Sequence, residues 1–358
     1  MSCHTHDLTH QPSQLGPFFE LRRDVYRRDR WHVPPTRRAE RKSLLRLDYL
    51  GRQQILLATA HGRPVARVVA RLTPEGLGCL GFFEAHDEPA PVHALLDQAL
   101  DWLSERGATR IVGPMEGDTW HPHRFSLGPS HETPFLLEPH QPPYYARLWQ
   151  DAGFVGCQDF VSQRVDQPES VFDRLRPRLE AAQGEGFRFE KLDLARFDET
   201  LLRLYRLSSA CFAGEPFYRP ISDELFLELY RGAKRLLDPD LVHIAVDAQG
   251  RDAGFLFAYP ERRAAVAAWR QGRAFSALGA LRRRPEAANL KTLAVLREHR
   301  RTHLGSALVA LTYQNLLAKG YRRAHHCLMR DDNPSAGFDG GHGRLLRRYR
   351  LYEYGGSR

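Results

Sequence analysis

The sequence predicts an α/β protein with two similar modules, each a mixed β-sheet flanked by helices. Three observations support this prediction. At 358 residues, the chain is longer than a single hydrophobic core usually grows. Apolar runs of strand length alternate with segments of helical periodicity in both halves of the chain. A polar, proline-bearing stretch at 165–178 lies between the halves, so we expect one module at 1–168 and another at 169–358.

The elements of the first half are predicted from their apolar patterns. Short apolar runs bounded by turn residues predict strands at 55–60, 67–72, 77–83 and 109–113. Apolar residues at helical spacing predict a helix over 91–107, and its final Gly107 suits a C-terminal cap.

The second half repeats this theme. Strands are predicted at 241–246 and 253–259 around a turn, followed by a strand from Leu290, a helix over 304–319 and a strand from Ala324. A hairpin followed by a strand-helix-strand unit predicts a mixed sheet with helices on its faces.

The stretch from Leu290 to Val309 is predicted to change from an apolar strand, through a basic turn, into an amphipathic helix. Amides at the start of a helix lack intrahelical acceptors, and the helix dipole adds positive charge, so such a turn binds anions. We therefore expect a pyrophosphate of a nucleotide-like cofactor to bind at the turn Arg300, Arg301, Thr302, His303, Leu304, Gly305 and Ser306.

This turn resembles the acetyl-CoA-binding motif of the GCN5-related N-acyltransferases (GNATs), Arg/Gln-x-x-Gly-x-Gly/Ala, with Arg300 first and Gly305 last. His303 stands where the family has its first glycine. Further segments are similar, in order and spacing, to a two-module bacterial branch that includes bacterial ceramide synthases and many proteins of unknown substrate. These segments are Asp29–Pro35, Gly81–Glu84, Gly113–Met115, Pro142–Tyr145, Ala152–Phe154, Arg323–Asn333 and Arg347–Glu353.

The resemblance implies an N-acyltransferase that uses acetyl-CoA or a longer acyl-CoA as cosubstrate. In this superfamily an amine attacks the thioester directly, and an amide of Leu293, Ala294 or Val295 would stabilise the oxyanion. Asn333 belongs to the expected CoA site. Tyr349 or Tyr352 would protonate the leaving thiolate, and the alternative is that both tyrosines pack on a C-terminal strand. The His303 side chain would either obstruct the phosphate or, as imidazolium, donate to it.

The first half offers a candidate amine site instead of a phosphate site. Its segment Glu84–Pro91 is acidic and proline-rich, so we expect only the second module to bind CoA. In the following loop, Glu116, Asp118 and Trp120 are candidates to bind an ammonium group, unless the loop is a structural turn with a core tryptophan. Additional candidates are Glu138, Tyr144 and Glu215. For Glu138 and Tyr144 the alternative is a proline-rich interdomain turn with packed tyrosines.

Charge and composition limit the remaining possibilities. The net charge is +9, and the arginines of the alanine-rich insertion at 262–284 either contact an anionic membrane or an acidic partner, or form a solvated helical face. No apolar run approaches the roughly 20 residues of a spanning helix, and the polar start is not a signal peptide, so we expect a cytoplasmic protein. The five cysteines are scattered along the chain, which favours reduced thiols. Cys3 and its neighbouring histidines could bind a metal, but we favour a frayed amino terminus.

Two classes of function remain. One is an acyl-CoA-dependent N-acyltransferase acting on a small or lipid primary amine. The other is a catalytically silent acyl-CoA-binding or interaction protein of the same fold. His303 and the segment between Asn333 and Gly340, which is shorter than the family's pattern, motivate this alternative. No base-reading motif supports a nucleic-acid partner.

Overall fold

The computed structural model describes residues 3–128, 132–333 and 337–356. It divides into two compact units. The first comprises 1–159, 263–278 and 348–358, and the second comprises 160–262 and 279–347. Residues 263–278 of the alanine-rich insertion and the C-terminal residues from 348 therefore belong to the first unit, although they follow the predicted boundary in sequence. The predicted division at residue 168 stays a prediction.

Thirteen strands and ten α-helices are defined within the described residues. The first half of the chain contains β1 (Cys3–Asp7), α1 (Gly16–Val25), α2 (Arg37–Leu44), β2 (Gln53–Ala60), β3 (Arg63–Leu72), β4 (Leu77–Ala85), α3 (Pro89–Glu105), β5 (Arg110–Gly113), β6 (Phe125–Leu127), α4 (Tyr145–Asp151) and β7 (Phe154–Val165). The remainder contains α5 (Pro168–Gly184), β8 (Arg188–Lys191), α6 (Phe197–Phe212), α7 (Asp223–Arg231), β9 (Val242–Val246), β10 (Asp252–Pro260), α8 (Arg263–Arg270), α9 (Ala274–Arg282), β11 (Ala287–Val295), α10 (Leu304–Ala318), β12 (Arg323–Arg330) and β13 (Gly343–Tyr354).

In the first unit, β1, β2, β3 and β4 pair antiparallel in chain order. Helix α3 then leads to β5, which pairs parallel to β4. The final strand of this sheet comes from the C-terminal segment: Tyr352 and Glu353 of β13 pair antiparallel with Gly113 and Val112 of β5.

The second unit follows the same plan. Strands β8, β9, β10 and β11 pair antiparallel, and α10 connects β11 to the parallel strand β12. Here the closing strand comes from β7, whose residues 160–165 pair antiparallel with β12. Each unit is thus a mixed sheet with a strand-helix-strand crossover, and the predicted fold class is confirmed.

Packing explains why the helices form where they do. Helix α3 buries Val92, Leu95, Leu96, Ala99, Leu100 and Leu103 at helical spacing, and Gly107 follows its end with a φ of 79°. Helix α10 differs from the expectation of an amphipathic helix. It buries residues around most of its circumference, because the apolar run Leu304–Ala318 is enclosed in the second core.

The polar stretch at 165–178, on which the predicted division rests, is the end of β7 and the start of α5. Val171, Leu175, Leu179 and Ala182 form a buried helical face there, which the polar residues obscured. One further expectation was wrong. Residues 3–7 are not frayed, because β1 pairs with β2 along Cys3–Asp7 and His6 hydrogen-bonds Thr59.

Candidate functional site

The candidate cofactor site lies in the second unit, where two parallel strands stop pairing. Strand β11 pairs with β12 only over Ala287–Leu290, although both strands continue beyond this point. Leu293, Ala294 and Val295 pair with β10 on the other side, and the register between β10 and β11 shifts near Phe257. Residues 293–295 therefore extend past the parallel ladder and lead directly into the turn before α10.

The amino terminus of α10 has amides available to a ligand. His303 occupies the N-cap position and its side chain does not cap the helix. The Leu304 amide donates to Thr302 Oγ1 at 3.2 Å, while Thr302 Oγ1 donates to the His299 carbonyl at 2.8 Å. Within the described residues the amides of Gly305 and Ser306 have no acceptor. A helix terminus in this state suits an anion.

The basic residues around this turn have different roles. Arg300 is engaged internally, because its guanidinium donates to the carbonyls of Val295 at 3.3 Å and Cys211 at 3.0 Å. Arg301 is exposed. Arg178 of α5, which the sequence analysis missed, donates to the His303 ring, with 2.8 Å between Nη1 and Nε2. The same Nη1 also lies 3.1 Å from His303 Nδ1, so the guanidinium is close to both ring nitrogens.

Gly305 is not required by the fold. A Cβ added there would meet Phe338 at 3.5 Å, Val295 at 3.8 Å and Leu293 at 4.0 Å, which are ordinary contact distances. Its φ also lies outside the left-handed region. The missing side chain therefore leaves space beside β11 and the α10 terminus, which suits close approach of a ligand to the backbone.

The equivalent position in the first unit is filled. Strands β4 and β5 pair in parallel over Leu77–Cys79 only, but the Met115 amide then donates to the Leu80 carbonyl at 2.7 Å. A Cβ on Gly81 would lie 2.6 Å from the Met115 carbonyl oxygen. The chain itself thus occupies the region that follows the parallel pairing.

Asp118, a candidate for the amine site, is held by its own loop. Its Oδ1 accepts hydrogen bonds from the Trp120 and His121 amides and from His121 Nδ1, and its Oδ2 accepts from Arg46 at 3.1 Å. Burial opposes ionisation of Asp118, but His121 and Arg46 outweigh it and lower the pKa to about 2. This geometry favours the structural interpretation of Asp118.

Glu116 is different, although it lies only two residues away. It is buried, and burial raises the pKa of its carboxyl against the opposing influence of His121, Arg22 and Arg71. Trp120 is half-buried, not a core residue as the structural alternative assumed.

The two candidate catalytic tyrosines lie in the first unit. Tyr349 is fully buried and donates a hydrogen bond to Glu138, another candidate, whose second oxygen accepts from the Phe135 amide at 2.8 Å. Tyr352 is also fully buried, and within the described residues its hydroxyl has no partner. Burial raises the pKa of Tyr352.

The remaining candidates are dispersed. The Tyr144 hydroxyl donates to the Ala85 carbonyl at 2.8 Å, and burial raises its pKa to about 12. Glu215 forms an ion pair with Arg330 in the second unit. Asn333 is exposed in a turn that precedes the undescribed residues 334–336.

A buried charge network in the first unit was missed by sequence reasoning. Arg22 donates to Glu84 at 2.5 Å and pairs with Glu40 at 3.0 Å, and Arg67 donates to Glu40 at 2.8 Å. The Tyr145 hydroxyl completes the network by donating to Glu84 at 2.8 Å. Glu84 and Tyr145 are the last residues of two segments that resemble the GNAT branch, Gly81–Glu84 and Pro142–Tyr145. This resemblance was the sequence signal that could have identified the network.

Comparisons with known proteins agree with this architecture. Over its full length, the chain resembles a tandem GNAT protein from the clavulanic acid biosynthesis pathway, with a TM-score of 0.53, 15% identity and 100% of both chains covered. The chain has the tandem GNAT fold. A GCN5-related glucosamine N-acetyltransferase region of a fungal multi-domain GH3 β-N-acetylglucosaminidase gives a TM-score of 0.57 at 16% identity, covering 99% of this chain and 38% of that one.

Sequence similarity points to the same branch of tandem GNAT proteins. The chain is 26% identical over 222 residues to a bacterial ceramide synthase from Caulobacter vibrioides, and the match covers 60% of this chain and 58% of that protein. No family model matches the chain. The resemblance to the two-module GNAT branch is nevertheless confirmed by these relatives. None of the helices in the described regions is long and apolar enough to cross a membrane.

Proposed function

We propose that this tandem GNAT protein is an acyl-CoA-dependent N-acyltransferase that transfers an acetyl or longer acyl group to a primary amine. The observation that carries the proposal is the free α10 terminus at Gly305 and Ser306, directly after a strand whose parallel pairing ends at Leu290. The glucosamine N-acetyltransferase region and the ceramide synthase among its relatives support acyl transfer to nitrogen.

The pyrophosphate of acyl-CoA would accept hydrogen bonds from the amides of Gly305 and Ser306. The positive end of α10 and the guanidinium groups of Arg178 and Arg301 would add favourable charge. His303 would take part through Arg178, because its ring accepts a hydrogen bond from that guanidinium.

In the reaction, the nitrogen lone pair of the amine attacks the thioester carbonyl, so a C–N bond forms and the C–S bond breaks. An amide of Leu293, Ala294 or Val295 would stabilise the oxyanion. These residues are suited to this role because β11 extends past the residues that pair with β12. The amine loses one proton, and the thiolate of CoA gains one.

For the acid, the contacts of both candidate tyrosines favour the packing alternative. The Tyr349 hydroxyl donates to Glu138, and the fully buried Tyr352 ring lies in the first hydrophobic core near Phe125 and Trp149. Tyr352→Phe should therefore change stability and leave the rate of acyl transfer and the affinity for acyl-CoA unchanged. A lower rate at unchanged stability would return Tyr352 to the acid role.

For the amine, we retain Glu116 and Trp120 from the loop after β5 and assign Asp118 to the loop's structure. A lipid amine is the substrate class that the ceramide synthase relative favours, and a small amino sugar is the class that the fungal relative favours. Incubating the protein with each class of amine and acyl-CoAs of graded length, with detection of the amide by mass spectrometry, distinguishes them.

The decisive experiment measures the affinity for CoA and acyl-CoAs by calorimetry in the unmodified protein and in Gly305→Ala. We expect about tenfold weaker binding in the variant, because the methyl group occupies space that the backbone now offers to phosphate. Gly279→Ala is the matched control, since Gly279 also lies in a helix and a Cβ there meets nothing within 4 Å.

Each outcome has a definite meaning. The absence of CoA binding by the unmodified protein would overturn the proposal. Binding without transfer to any amine would favour the silent acyl-CoA-binding alternative, for which the specific observation is His303 at the position of the first glycine.

A further inference from the structure

The first unit contains a basic groove that the proposed reaction does not use. Its volume is about 760 Å³, and its lining includes eight arginines and three carboxylates. The arginines are Arg22, Arg23, Arg27, Arg28, Arg30, Arg37, Arg270 and Arg273. This size and charge suit an anionic group attached to a larger molecule.

The charges in the groove are not balanced by its own acids. Glu40 is paired with Arg22 and Arg67, and Asp29 accepts hydrogen bonds from His140 and the Trp31 amide. Within the described residues, Arg23, Arg27 and Arg28 form no ion pair. His32 also lines the groove, and burial lowers its pKa to about 3, so it adds no charge at neutral pH.

Exposed apolar side chains flank two of the groove's arginines along the chain. Trp269 is 65% exposed, Phe275 is 94% exposed and Leu278 is 47% exposed, while the intervening Arg270 and Arg273 line the groove. Phe275 and Leu278 are three residues apart on α9 and share one face. The sequence from Arg262 to Pro285 has seven arginines and no acidic residue.

This apolar surface is held in a fixed position. Arg263 donates to the carbonyls of Trp31 at 2.9 Å and Phe135 at 2.8 Å, and Arg270 donates to the Pro34 carbonyl at 2.8 Å. Gln271 donates to the carbonyls of Asp29 at 3.1 Å and His32 at 2.7 Å. The exposed aromatic side chains are therefore borne by a segment anchored to the groove wall.

We propose that the groove and the surface formed by Trp269, Phe275 and Leu278 bind together to a bilayer of anionic phospholipid. The arginines of the groove take the headgroup phosphate, and the aromatic side chains enter the interface, where amphipathic basic helices bind. Charge complementarity favours the anionic bilayer over a second copy of this chain, because the segment from Arg262 to Pro285 carries arginines and no acidic residue and would repel the same segment of another copy.

The test is sedimentation of the full chain with vesicles of phosphatidylcholine, with and without phosphatidylglycerol. We expect binding to the anionic vesicles only. Phe275→Ser should lower the partition coefficient about tenfold, because an aromatic side chain leaves the interface. Leu50→Ser is the control, since Leu50 is 78% exposed elsewhere in the first unit and should have no effect.

A second pair of variants tests the groove. Arg23→Ala and Arg27→Ala should each lower the affinity for anionic vesicles about fivefold. Arg38 is exposed outside the groove, so Arg38→Ala is the control and should lower this affinity less. Equal losses from all three arginines would reduce the groove to nonspecific charge and overturn the site. Thermal unfolding establishes that each variant is folded.

Three results would overturn the proposal. One is failure of the unmodified protein to bind anionic vesicles. Another is that soluble glycerophosphoglycerol binds as tightly as the anionic vesicles do, and that its affinity is unchanged in Phe275→Ser. This result would indicate a free phosphate ligand. The third is a concentration-dependent dimer abolished by Phe275→Ser, which would indicate a second copy. Vesicle binding requires no acyl-CoA, so its failure leaves the proposed enzymatic function untouched.

Discussion

The two strand-helix-strand crossovers of this protein have the same geometry and different chemistry. In both, the parallel strands pair briefly, over Leu77–Cys79 in the first unit and Ala287–Leu290 in the second, and a helix follows the first strand. In the first unit, the backbone near Met115 fills the space that follows the parallel pairing, and Glu84 is buried. In the second unit, the residues that follow β11 leave the Gly305 and Ser306 amides without an acceptor among the residues that the structure describes.

This contrast shows that the fold supplies the position of an anion site, while the residues of the turn decide whether it exists. The first unit places its charges in an internal network of arginine, glutamate and tyrosine, which stabilises structure. The second unit places charges around an open helix terminus, which suits a ligand. Variants in the network around Glu84 should therefore change stability, and variants around the α10 terminus should change acyl-CoA binding.

The largest effect is expected at Glu84. Glu84→Gln leaves Arg22 and Arg67 to share the single carboxylate of Glu40, so one buried positive charge is uncompensated and the free energy of unfolding should fall by about 3–5 kcal/mol. Urea denaturation measures this loss. Glu88→Gln, which breaks the exposed pair with Arg63, should cost less than about 1 kcal/mol. Similar losses from both variants would refute the assignment of Glu84 to a structural network.

Asp118→Asn should lower the free energy of unfolding by about 2 kcal/mol at pH 7, from the difference between a pKa of about 2 in the folded protein and an ordinary value of 3.8. Because the folded pKa is depressed, the contribution is present above pH 4 and is lost as the pH falls towards 2. The difference between variant and unmodified protein should therefore shrink over this window. A difference independent of pH would contradict the ionic role.

In the second unit, Arg178→Ala should weaken acyl-CoA binding about fivefold with little change in stability, because Arg178 is exposed beside the α10 terminus. Calorimetry at two salt concentrations should also show a smaller salt dependence in the variant. Arg176→Ala, an exposed arginine of the same helix that pairs with Glu180, should leave both quantities unchanged.

The smallest effect is expected at Glu116, and its sign is opposite to that at Asp118. The folded pKa of Glu116 is raised, so folding disfavours its ionised form, and its contribution to stability is lost as the pH rises through that pKa. Glu116→Gln should slightly increase the free energy of unfolding at pH 8. A decrease there would mean that the carboxylate has a stabilising partner.

Much of the fold could be predicted from the sequence because it depends on local patterns. The alternating apolar runs of β2, β3 and β9, the periodicity of α3 and the glycine after it all indicate structure without knowledge of distant residues. The α5 helix was missed because charged residues and an internal Pro177 mask its buried face. No local pattern could reveal that the C-terminal tyrosines pair with strands of the first half.

The candidate site divides in the same way. The turn Arg300–Ser306 was recognised because its chemistry is contiguous in sequence. The partners that give these residues their present roles, such as Arg178 at His303 and Glu138 at Tyr349, are distant along the chain. Asp118 was expected to be available, yet Arg46 and His121 already satisfy its carboxylate.

The pairing of β13 with β5 has a consequence for synthesis of the protein on the ribosome. Residues 348–354 emerge only after the entire second unit, so the first unit must wait for the edge of its sheet. Until then β5 exposes unpaired backbone groups, which are prone to association with other chains. A frameshift or premature stop after α10 would therefore damage the half of the protein that had been made first.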